Sequence, residues 1–250
     1  MLDKATINQL HELRLHTMAA ILSDQEMDPK MQELPFDERL GMLVEAEWMK
    51  RRERKINRLV QQAQFRFPAV LEDIDYEGKQ GISKADILRL NECTYLRRKQ
   101  NIIISGLTGI GKTYIACALG RSACIQNFTV RYMRIPDFFI EVSDAQIDNR
   151  YSSFMKKFSS IALLVLDDFG FKSFTSEESQ EILELMEHRY NVSSTIFVSQ
   201  LPSSNWHNLF PDPTVADAIL DRIVHNSYKF NLIGESMRKV LSERQMKYDL

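Results

Sequence analysis

Apolar residues recur at one spacing in the first quarter of the chain and at another in the rest. Before residue 65 they fall three or four positions apart, as in Leu40, Val44 and Trp48. This spacing places them on one side of a helix. It predicts helices over residues 6–22 and about 35–64, separated by a loop that contains an Asp-Pro pair.

After residue 100 the pattern changes to short apolar runs that alternate with helical segments. A serine-capped helix over residues 84–96 precedes them, and further helices begin at Lys112 and near Ser176, where Thr175 and Glu178 fit a capping box. The predicted strands are residues 102–105, 129–133, 161–166, 195–199 and 228–232. Such alternation is typical of an α/β fold, a parallel five-stranded sheet with helices on both faces. We therefore predict a small N-terminal helical domain, residues 1–66, and an α/β domain, residues 67–250.

Composition narrows the class of protein but does not name a partner. The 250 residues are 44% hydrophobic and carry a formal net charge of −2, which excludes a disordered tail and a collagen-like fibre. Three cysteines without close spacing indicate reduced thiols rather than a disulfide framework. The longest apolar run has six residues, too few to cross a membrane. We expect a soluble, intracellular protein with no membrane partner.

The segment Gly-Leu-Thr-Gly-Ile-Gly-Lys-Thr over residues 106–113 matches a phosphate-binding loop at every fixed position. Its glycines let backbone N–H groups surround an anion, Lys112 faces the β- and γ-phosphates of ATP, and Thr113 ligates Mg²⁺. An ordinary glycine-rich turn is the alternative. A dinucleotide fingerprint is excluded, because its third glycine falls at Tyr114. The predicted nucleotide contacts are Gly106, Thr108, Gly109, Ile110, Gly111, Lys112, Thr113 and Tyr114.

An apolar strand that ends in two acids follows the loop along the chain. Asp167 is the predicted Mg²⁺-side carboxylate, and Asp168 the group that polarises the attacking water. A pair of solvated acids in a turn is the alternative. The base-reading motif of GTPases and the signature motif of transporter ATPases are both absent from the sequence. The intervening strand, residues 129–133, indicates the AAA+ and RecA-like branch of P-loop ATPases.

The chain resembles the IstB family of AAA+ ATPases, which is related to the helicase loader DnaC and the initiator DnaA. The residues that carry the likeness are 106–113, 163–170, 197–202, 220–226 and 234–238. IstB proteins are encoded beside the transposases of bacterial insertion sequences. The resemblance implies an ATPase that helps DNA transposition, a form of DNA recombination, in the bacterial cytoplasm. It also implies ATP and Mg²⁺ as cofactors, with duplex DNA, a transposase and further copies of the chain as partners.

The resemblance also assigns roles to three polar residues. Gln200 matches the sensor position that detects the γ-phosphate, the alternative being a strand-end amide. Arg222 matches the arginine finger that reaches the ATP of a neighbouring subunit, the alternative being a surface arginine paired with Asp217 or Asp221. Arg238 matches a second arginine at the nucleotide or the subunit interface. The chain has no room for a helical lid, which puts a sensor role for Arg238 in doubt.

Asp168 departs from the glutamate that is common in AAA+ proteins. Aspartate is one methylene shorter, so we expect slow hydrolysis. With these residues the predicted catalytic set is Lys112, Asp168, Gln200 and Arg222.

A basic run between residues 50 and 58 offers a surface for DNA. Its cations are Lys50, Arg51, Arg52, Arg54, Lys55 and Arg58, set against one acid. Positive charge on a helix face follows the phosphates of a duplex without reading bases. A solvated helix face is the alternative, as it is for the second cluster at Arg97, Arg98 and Lys99.

Two other functions remain open at this point. One is a DnaC-like replicative helicase loader, which prefers single strands and binds a helicase. The other is a P-loop kinase of a small molecule, in which Arg222 and the basic run have no purpose.

Overall fold

The computed structural model describes residues 4–76 and 81–236, and the chain divides into an N-terminal unit, Met1–Arg58, and a C-terminal unit, Leu59–Leu250. The helices of the first unit are α1 Lys4–Glu12, α2 His16–Met27, α3 Pro29–Gln32 and α4 Phe36–Ala63. Helix α4 continues past the boundary into the second unit. The predicted long helix over residues 35–64 is therefore confirmed within one residue at each end.

The predicted helix over residues 6–22 is wrong as one element, because the chain breaks between α1 and α2. Arg14 adopts a left-handed conformation with φ 57°, which a continuing helix does not allow. Its carbonyl accepts a hydrogen bond from the Arg51 guanidinium at 3.0 Å. The Asp-Pro pair also has a second role. Asp28 caps α3 through the Lys30 amide, and Pro29 occupies the first helical position.

A buried carboxylate joins α4 to α2 inside the N-terminal unit. Glu47 accepts hydrogen bonds from the backbone amides of Thr17 and Met18, at 3.0 and 3.2 Å, and from Arg51 at 2.8 Å. Burial alone raises the pKa of Glu47, but these donors together hold that pKa below its ordinary value. The side of α4 that carries Leu43 and Glu47 is thus the one that packs within the unit.

Five parallel strands form the sheet of the C-terminal unit, in the order β2-β3-β4-β1-β5. Their bounds are β1 Asn101–Gly106, β2 Val130–Arg134, β3 Leu163–Phe169, β4 Ser194–Ser199 and β5 Ser227–Leu232. All five predicted strands are confirmed, as is the fold class. The central strand β4 pairs with both β1 and β3, so the phosphate loop after β1 and the acids of β3 lie at the same edge of the sheet.

Helices cover both faces of this sheet, each over its own apolar core. Their bounds are α5 Lys84–Asn91, α6 Thr94–Arg97, α7 Lys112–Ile125, α8 Ile135–Ile147, α9 Tyr151–Ser160, α10 Ser176–Arg189 and α11 Pro213–Val224. Short 3₁₀ turns span Leu71–Asp73 and Ser203–Leu209. Both predicted N-terminal caps are present, Ser83 with Asp86 and Thr175 with Glu178.

The predicted helix over residues 84–96 is wrong as one element. Cys93 adopts a left-handed conformation with φ 54° and separates α5 from α6. Near the predicted domain boundary, Leu59 and Ala63 are buried in a core of the C-terminal unit, and the boundary after residue 66 stays a prediction. Among the described residues no helix follows β5, and none is long and apolar enough to cross a membrane.

Candidate nucleotide site

The phosphate loop joins β1 to α7 with a backbone that requires glycine. Gly111, which precedes α7, has φ 102°, and Gly109 has φ 87°. A Cβ atom on Gly109 would lie 2.2 Å from the Ser236 hydroxyl oxygen, too close for any side chain. The loop thus folds tightly over the start of α7, where free N–H groups and the helix dipole favour an anion.

Lys112 is the buried cation of this loop, with 8% of the residue exposed. Its ammonium donates to the carbonyls of Gly106 and Leu107 at 2.7 and 2.9 Å. Burial lowers the pKa of Lys112, and the charges of Asp167 and Asp168 partly offset that effect. A phosphate beside the ammonium would favour its charged form and offset the loss of hydration that burial causes.

More than half of the residues predicted to bind nucleotide or metal or to act in catalysis meet in one cleft of the C-terminal unit. The residues that line it are Arg66, Thr108, Gly109, Lys112, Thr113, Asp167, Asp168, Val198, Ser199 and Gln200. Gln200, directly after β4, therefore lies in the same cleft as the phosphate loop. The cleft unites three separate predictions: the loop, the acidic strand and the strand-end glutamine.

Three other predicted nucleotide contacts differ from this group. Ile110 is buried in the core beneath the loop, with 1% exposed. Tyr114 points its hydroxyl toward the Val70 amide, which donates to it at 3.4 Å. Neither of these two residues is among those that line the cleft. Arg238 lies outside the described residues.

Asp167 is the central acceptor of the cleft and is 1% exposed. The Thr113 hydroxyl donates to it at 2.9 Å, and the Tyr132 hydroxyl donates to the same oxygen at 2.8 Å. Burial and the Asp167 charge raise the pKa of Tyr132, so this phenol stays protonated as a donor. The carboxylate is therefore held in place beside the hydroxyl with which it would share a cation.

Asp168 has a different environment, although it is the next residue. Its φ of 58° turns the side chain away from the line of β3, and its amide donates to Asp167 at 2.8 Å. Arg134, at the end of β2, donates to the Asp168 carboxylate at 2.7 Å. That contact raises the pKa of Arg134, and both side chains remain partly exposed.

The donor set around Asp167 fits Mg²⁺. One carboxylate and one hydroxyl lie within 2.9 Å of each other at the mouth of a phosphate loop. Mg²⁺ in nucleotide sites takes one or two protein oxygens and completes its shell with phosphate oxygens and water. Among the described residues no cluster of three or more His, Cys, Asp or Glu is placed to hold a metal, and such a cluster is not needed here.

The sequence analysis missed Arg66, which lines the cleft, and two residues that hydrogen-bond its acids, Tyr132 and Arg134. Tyr132 lies in the middle of β2 and Arg134 at its carboxyl end, next to the acidic strand in the sheet. Polar residues at that end of a parallel strand are a usable signal, since ligands bind there. Arg66 has no such signal, because it follows α4 and reaches the cleft only through tertiary packing.

The segment that carries Arg66 is fixed on the phosphate-loop helix. The Phe65 ring lies so near Gly120 that a Cβ there would approach it to 2.5 Å. The Arg66 side chain lies near the Tyr132 hydroxyl and lowers the pKa of Tyr132, against the larger effect of burial. Arg66 is therefore a second cation of the cleft, close to the hydroxyl that donates to Asp167.

Arg222 lies at the edge of the sheet where the strands begin, opposite the edge that carries the cleft. Its carbonyl accepts from the Asn101 side chain at 3.4 Å, where β1 begins, whereas the phosphate loop follows the end of β1. Six residues of strand separate the two positions by about 16 Å. The Arg222 guanidinium donates to Glu187 at 3.0 Å and to the Ala218 carbonyl at 2.7 Å.

The alternative partners predicted for Arg222 are therefore wrong. Asp217 lies beside His207 and Asp221 beside His225. The structure does not bring Arg222 to the cleft of its own chain.

All six cations of the basic run are exposed on α4 in the N-terminal unit. Two of them form ion pairs at 2.8 Å, Lys50 with Glu53 and Arg51 with Glu47. In the C-terminal unit, Arg97 and Arg98 are exposed just before β1, at the same sheet edge as Arg222.

Comparison with known proteins places these features in a family. Residues 8–245 match the model of the family described as IstB-like ATP binding protein. An insertion sequence ATP-binding protein of Sinorhizobium fredii, y4pL, is 38% identical over 239 residues, covering 96% of this chain and 98% of that protein. The ATP-binding protein of insertion sequence IS1162 from Pseudomonas fluorescens is 35% identical, covering 82% and 89%.

Solved structures support the fold alone. The crystal structure of DnaI aligns with a TM-score of 0.56 and 17% identity, over 71% of this chain and 94% of that one. DnaA bound to AMPPCP and single-stranded DNA aligns with a TM-score of 0.55 and 20% identity, over 75% and 57%. Together with the family match, these findings confirm the predicted resemblance, the AAA+ fold and the class of ATPase.

Proposed function

Since the chain belongs to the family of IstB-like ATP binding proteins, we propose that it is the ATP-dependent helper of a transposase. In this proposal the protein assembles on duplex DNA, hydrolyses ATP between neighbouring subunits and recruits or activates the transposase. The observation that carries the proposal is the cleft itself, where a full phosphate loop meets two acids and a sensor glutamine. The names of its relatives as insertion sequence proteins supply the setting.

In the cleft, each residue has a defined task toward ATP. The loop amides and Lys112 hold the phosphates, and Gln200 contacts the γ-phosphate. Thr113 and Asp167 would hold Mg²⁺, which supplies charge neutralisation on the phosphate oxygens when it is bound. Asp168 orients the attacking water and accepts its proton, after releasing Arg134.

The position of Arg222 supports a role in trans. Its own cleft is about a strand length away, so an arginine that stabilises the transition state must serve the ATP of a neighbour. Hydrolysis then depends on assembly, because an isolated subunit lacks that charge. The ion pair with Glu187 would hold the guanidinium at the surface until a second subunit arrives.

The basic run on α4 is the proposed DNA contact. Its six exposed cations present charge without a base-reading motif, so we expect backbone contacts with little sequence preference. Binding that rests on phosphate neutralisation weakens steeply with salt.

The proposal is tested by measuring ATPase rate and particle size together, with and without duplex DNA. We expect duplex DNA to stimulate hydrolysis and ATP to increase particle size, and Lys112→Ala to abolish both. Stimulation by single strands alone, with capture of a replicative helicase rather than a transposase, would favour the helicase loader instead. An ATPase that neither grows with ATP nor responds to any DNA would contradict the proposal.

A further inference from the structure

A small recess lies beside Arg222, at the edge of the sheet where the strands begin. Ten described residues line it, and three of them are cations: Lys99, Arg189 and Arg222. None of these ten is an aspartate or a glutamate. Glu187, outside the lining, offsets one positive charge through its ion pair with Arg222 at 3.0 Å. Positive charge is therefore in excess here, and the ligand that suits the recess is an anion.

Arg189 supplies the most deeply buried of these charges, with 2% of the residue exposed. The acceptors that the described residues offer its guanidinium are the Thr195 hydroxyl and three backbone carbonyls, among them that of Ile161 at 3.0 Å. Burial lowers the pKa of Arg189 to about 9, so the group is still protonated at neutral pH. Since all four acceptors are uncharged, no described acid neutralises Arg189 within the recess.

Lys99 is the cation of the recess whose charge is free to meet a ligand. It follows α6 in a left-handed conformation with φ 58°, and this position at a helix end favours glycine. The Asn226 side chain donates to the Lys99 carbonyl at 3.2 Å and so fixes its backbone. The ammonium takes part in none of the ion pairs that the described residues form. The chain thus keeps a half-buried, unpaired lysine where the backbone would suit glycine better.

We propose that this recess receives the phosphates of a neighbouring subunit's ATP, with Lys99 as a second cation beside Arg222. The inference rests on the proposed function, in which Arg222 serves the ATP of a neighbour. Because both side chains line one recess, a triphosphate that reaches the guanidinium also comes within reach of the ammonium. An ammonium is a compact charge with three donors, which suits the oxygens of a phosphate group. Lys99 is thereby a residue of the next subunit's nucleotide site and not of its own.

The second basic cluster of the sequence is divided by this assignment. Lys99 lines the recess, whereas Arg97 and Arg98 are exposed and lie outside its lining. Arg98→Ala is therefore a matched control, since it removes a neighbouring positive charge that is not part of the recess. Lys99→Gly is the test variant, because it removes the ammonium and suits the left-handed backbone, so the fold is retained. Lys99→Arg restores a cation at the same position. Circular dichroism verifies that each variant is folded.

The first readout is kcat/KM for ATP on saturating duplex DNA. We expect Lys99→Gly to lower this value about tenfold, because a charged contact to phosphate is lost. Arg98→Ala should stay within about twofold of the unaltered protein, and Lys99→Arg should recover most of the loss. The ATP affinity of the dilute, unassembled protein should not change in any of them. A normal kcat/KM for Lys99→Gly, or a weaker ATP affinity of its isolated subunit, would overturn the inference.

Mixing of variants separates a contact to a neighbour's ATP from a contact within the same subunit. An Asp168→Asn subunit has an inactive cleft but offers both Lys99 and Arg222 to its neighbour. Its mixture with Lys99→Gly should therefore hydrolyse ATP above the sum of the separate proteins. A mixture of Lys99→Gly with Arg222→Ala should stay at that sum, because no subunit in it offers both cations. The reverse pattern would place Lys99 at the cleft of its own subunit and overturn the inference.

The mixture of Arg222→Ala with Asp168→Asn tests the proposed function alone. If this mixture recovers ATPase activity and the mixture of Lys99→Gly with Asp168→Asn does not, the inference fails and the proposed function stands. If neither mixture recovers, the proposed function fails and the inference fails with it. If Lys99→Gly weakens the binding of duplex DNA but hydrolyses ATP normally once DNA is saturating, the recess contacts DNA phosphates, and the inference is overturned.

Discussion

The sheet of the C-terminal unit has a carboxyl edge, where its strands end, and an amino edge, where they begin. The two edges differ in whether one chain supplies all the groups of a nucleotide site. The carboxyl edge gathers Lys112, Thr113, Asp167 and Gln200 into one cleft, all from a single chain. The amino edge carries Arg222, whose guanidinium is paired with Glu187 and faces no phosphate site of its own. Under the proposed function, one chain suffices to bind ATP, whereas hydrolysis needs the amino edge of a second chain.

The largest effect of a single substitution, a loss of ATPase rate, is expected at the amino edge. Arg222→Ala should reduce the ATPase rate by about 10³-fold, since an arginine finger stabilises the transition state, and should leave ATP affinity unchanged. Steady-state kinetics and equilibrium binding of ATP measure the two effects. Glu187→Ala is the matched control, because it removes the same ion pair but keeps the arginine. Equal loss of rate in both variants would mean that the ion pair is only structural.

At the carboxyl edge, Lys112→Ala should weaken ATP binding by roughly 100-fold. The ammonium is the buried cation that faces the phosphates, and loss of such a partner costs about 3 kcal/mol. Calorimetric titration with ATP gives the affinity. Retention of tight ATP binding by this variant would place the nucleotide elsewhere.

The next prediction concerns whether Arg66, at the same edge, contacts the terminal phosphate of ATP. If its guanidinium contacts the terminal phosphate, Arg66→Ala should weaken ATP binding about tenfold and leave ADP binding unchanged. The ratio of the two affinities is the measurement. Arg121→Ala, on the phosphate-loop helix α7 but outside the cleft lining, is the control. A parallel loss of ATP and ADP affinity would indicate that Arg66 only supports the fold.

The smallest effect concerns the ion pair between Arg134 and Asp168. Because both side chains are partly exposed, Arg134→Ala should lower the free energy of unfolding by at most about 1 kcal/mol. Chemical denaturation measures this change. A loss of several kcal/mol would show that Arg134 holds the end of β2 in place rather than restraining Asp168.

The site at the carboxyl edge could be predicted well from the sequence, because most of its residues lie in short continuous segments. Residues 106–113 form one continuous loop, and Asp167 follows an apolar run that reads as a buried strand. Strand ends meet at one edge of a parallel sheet, so the sequence order is enough to bring these parts together. Gln200 was assigned through the family resemblance, and it too follows a strand that ends at this edge.

Other features depend on packing and escaped prediction. The breaks at Arg14 and Cys93 arise from left-handed residues that the helical pattern does not reveal. Arg66 reaches the cleft through contacts with α7, and Arg222 pairs with Glu187 across 35 positions. No local spacing encodes either contact, because both depend on which helices lie side by side.

The central claim, that each ATP is hydrolysed with an arginine from a neighbour, is tested most directly by mixing two inactive variants. Arg222→Ala keeps an intact cleft but offers no finger, whereas Asp168→Asn offers a finger but has no carboxylate to accept the proton of the attacking water. The account predicts that the mixture, on duplex DNA, hydrolyses ATP well above the sum of the separate variants. A mixture that stays at that sum, although both proteins assemble together, would contradict it.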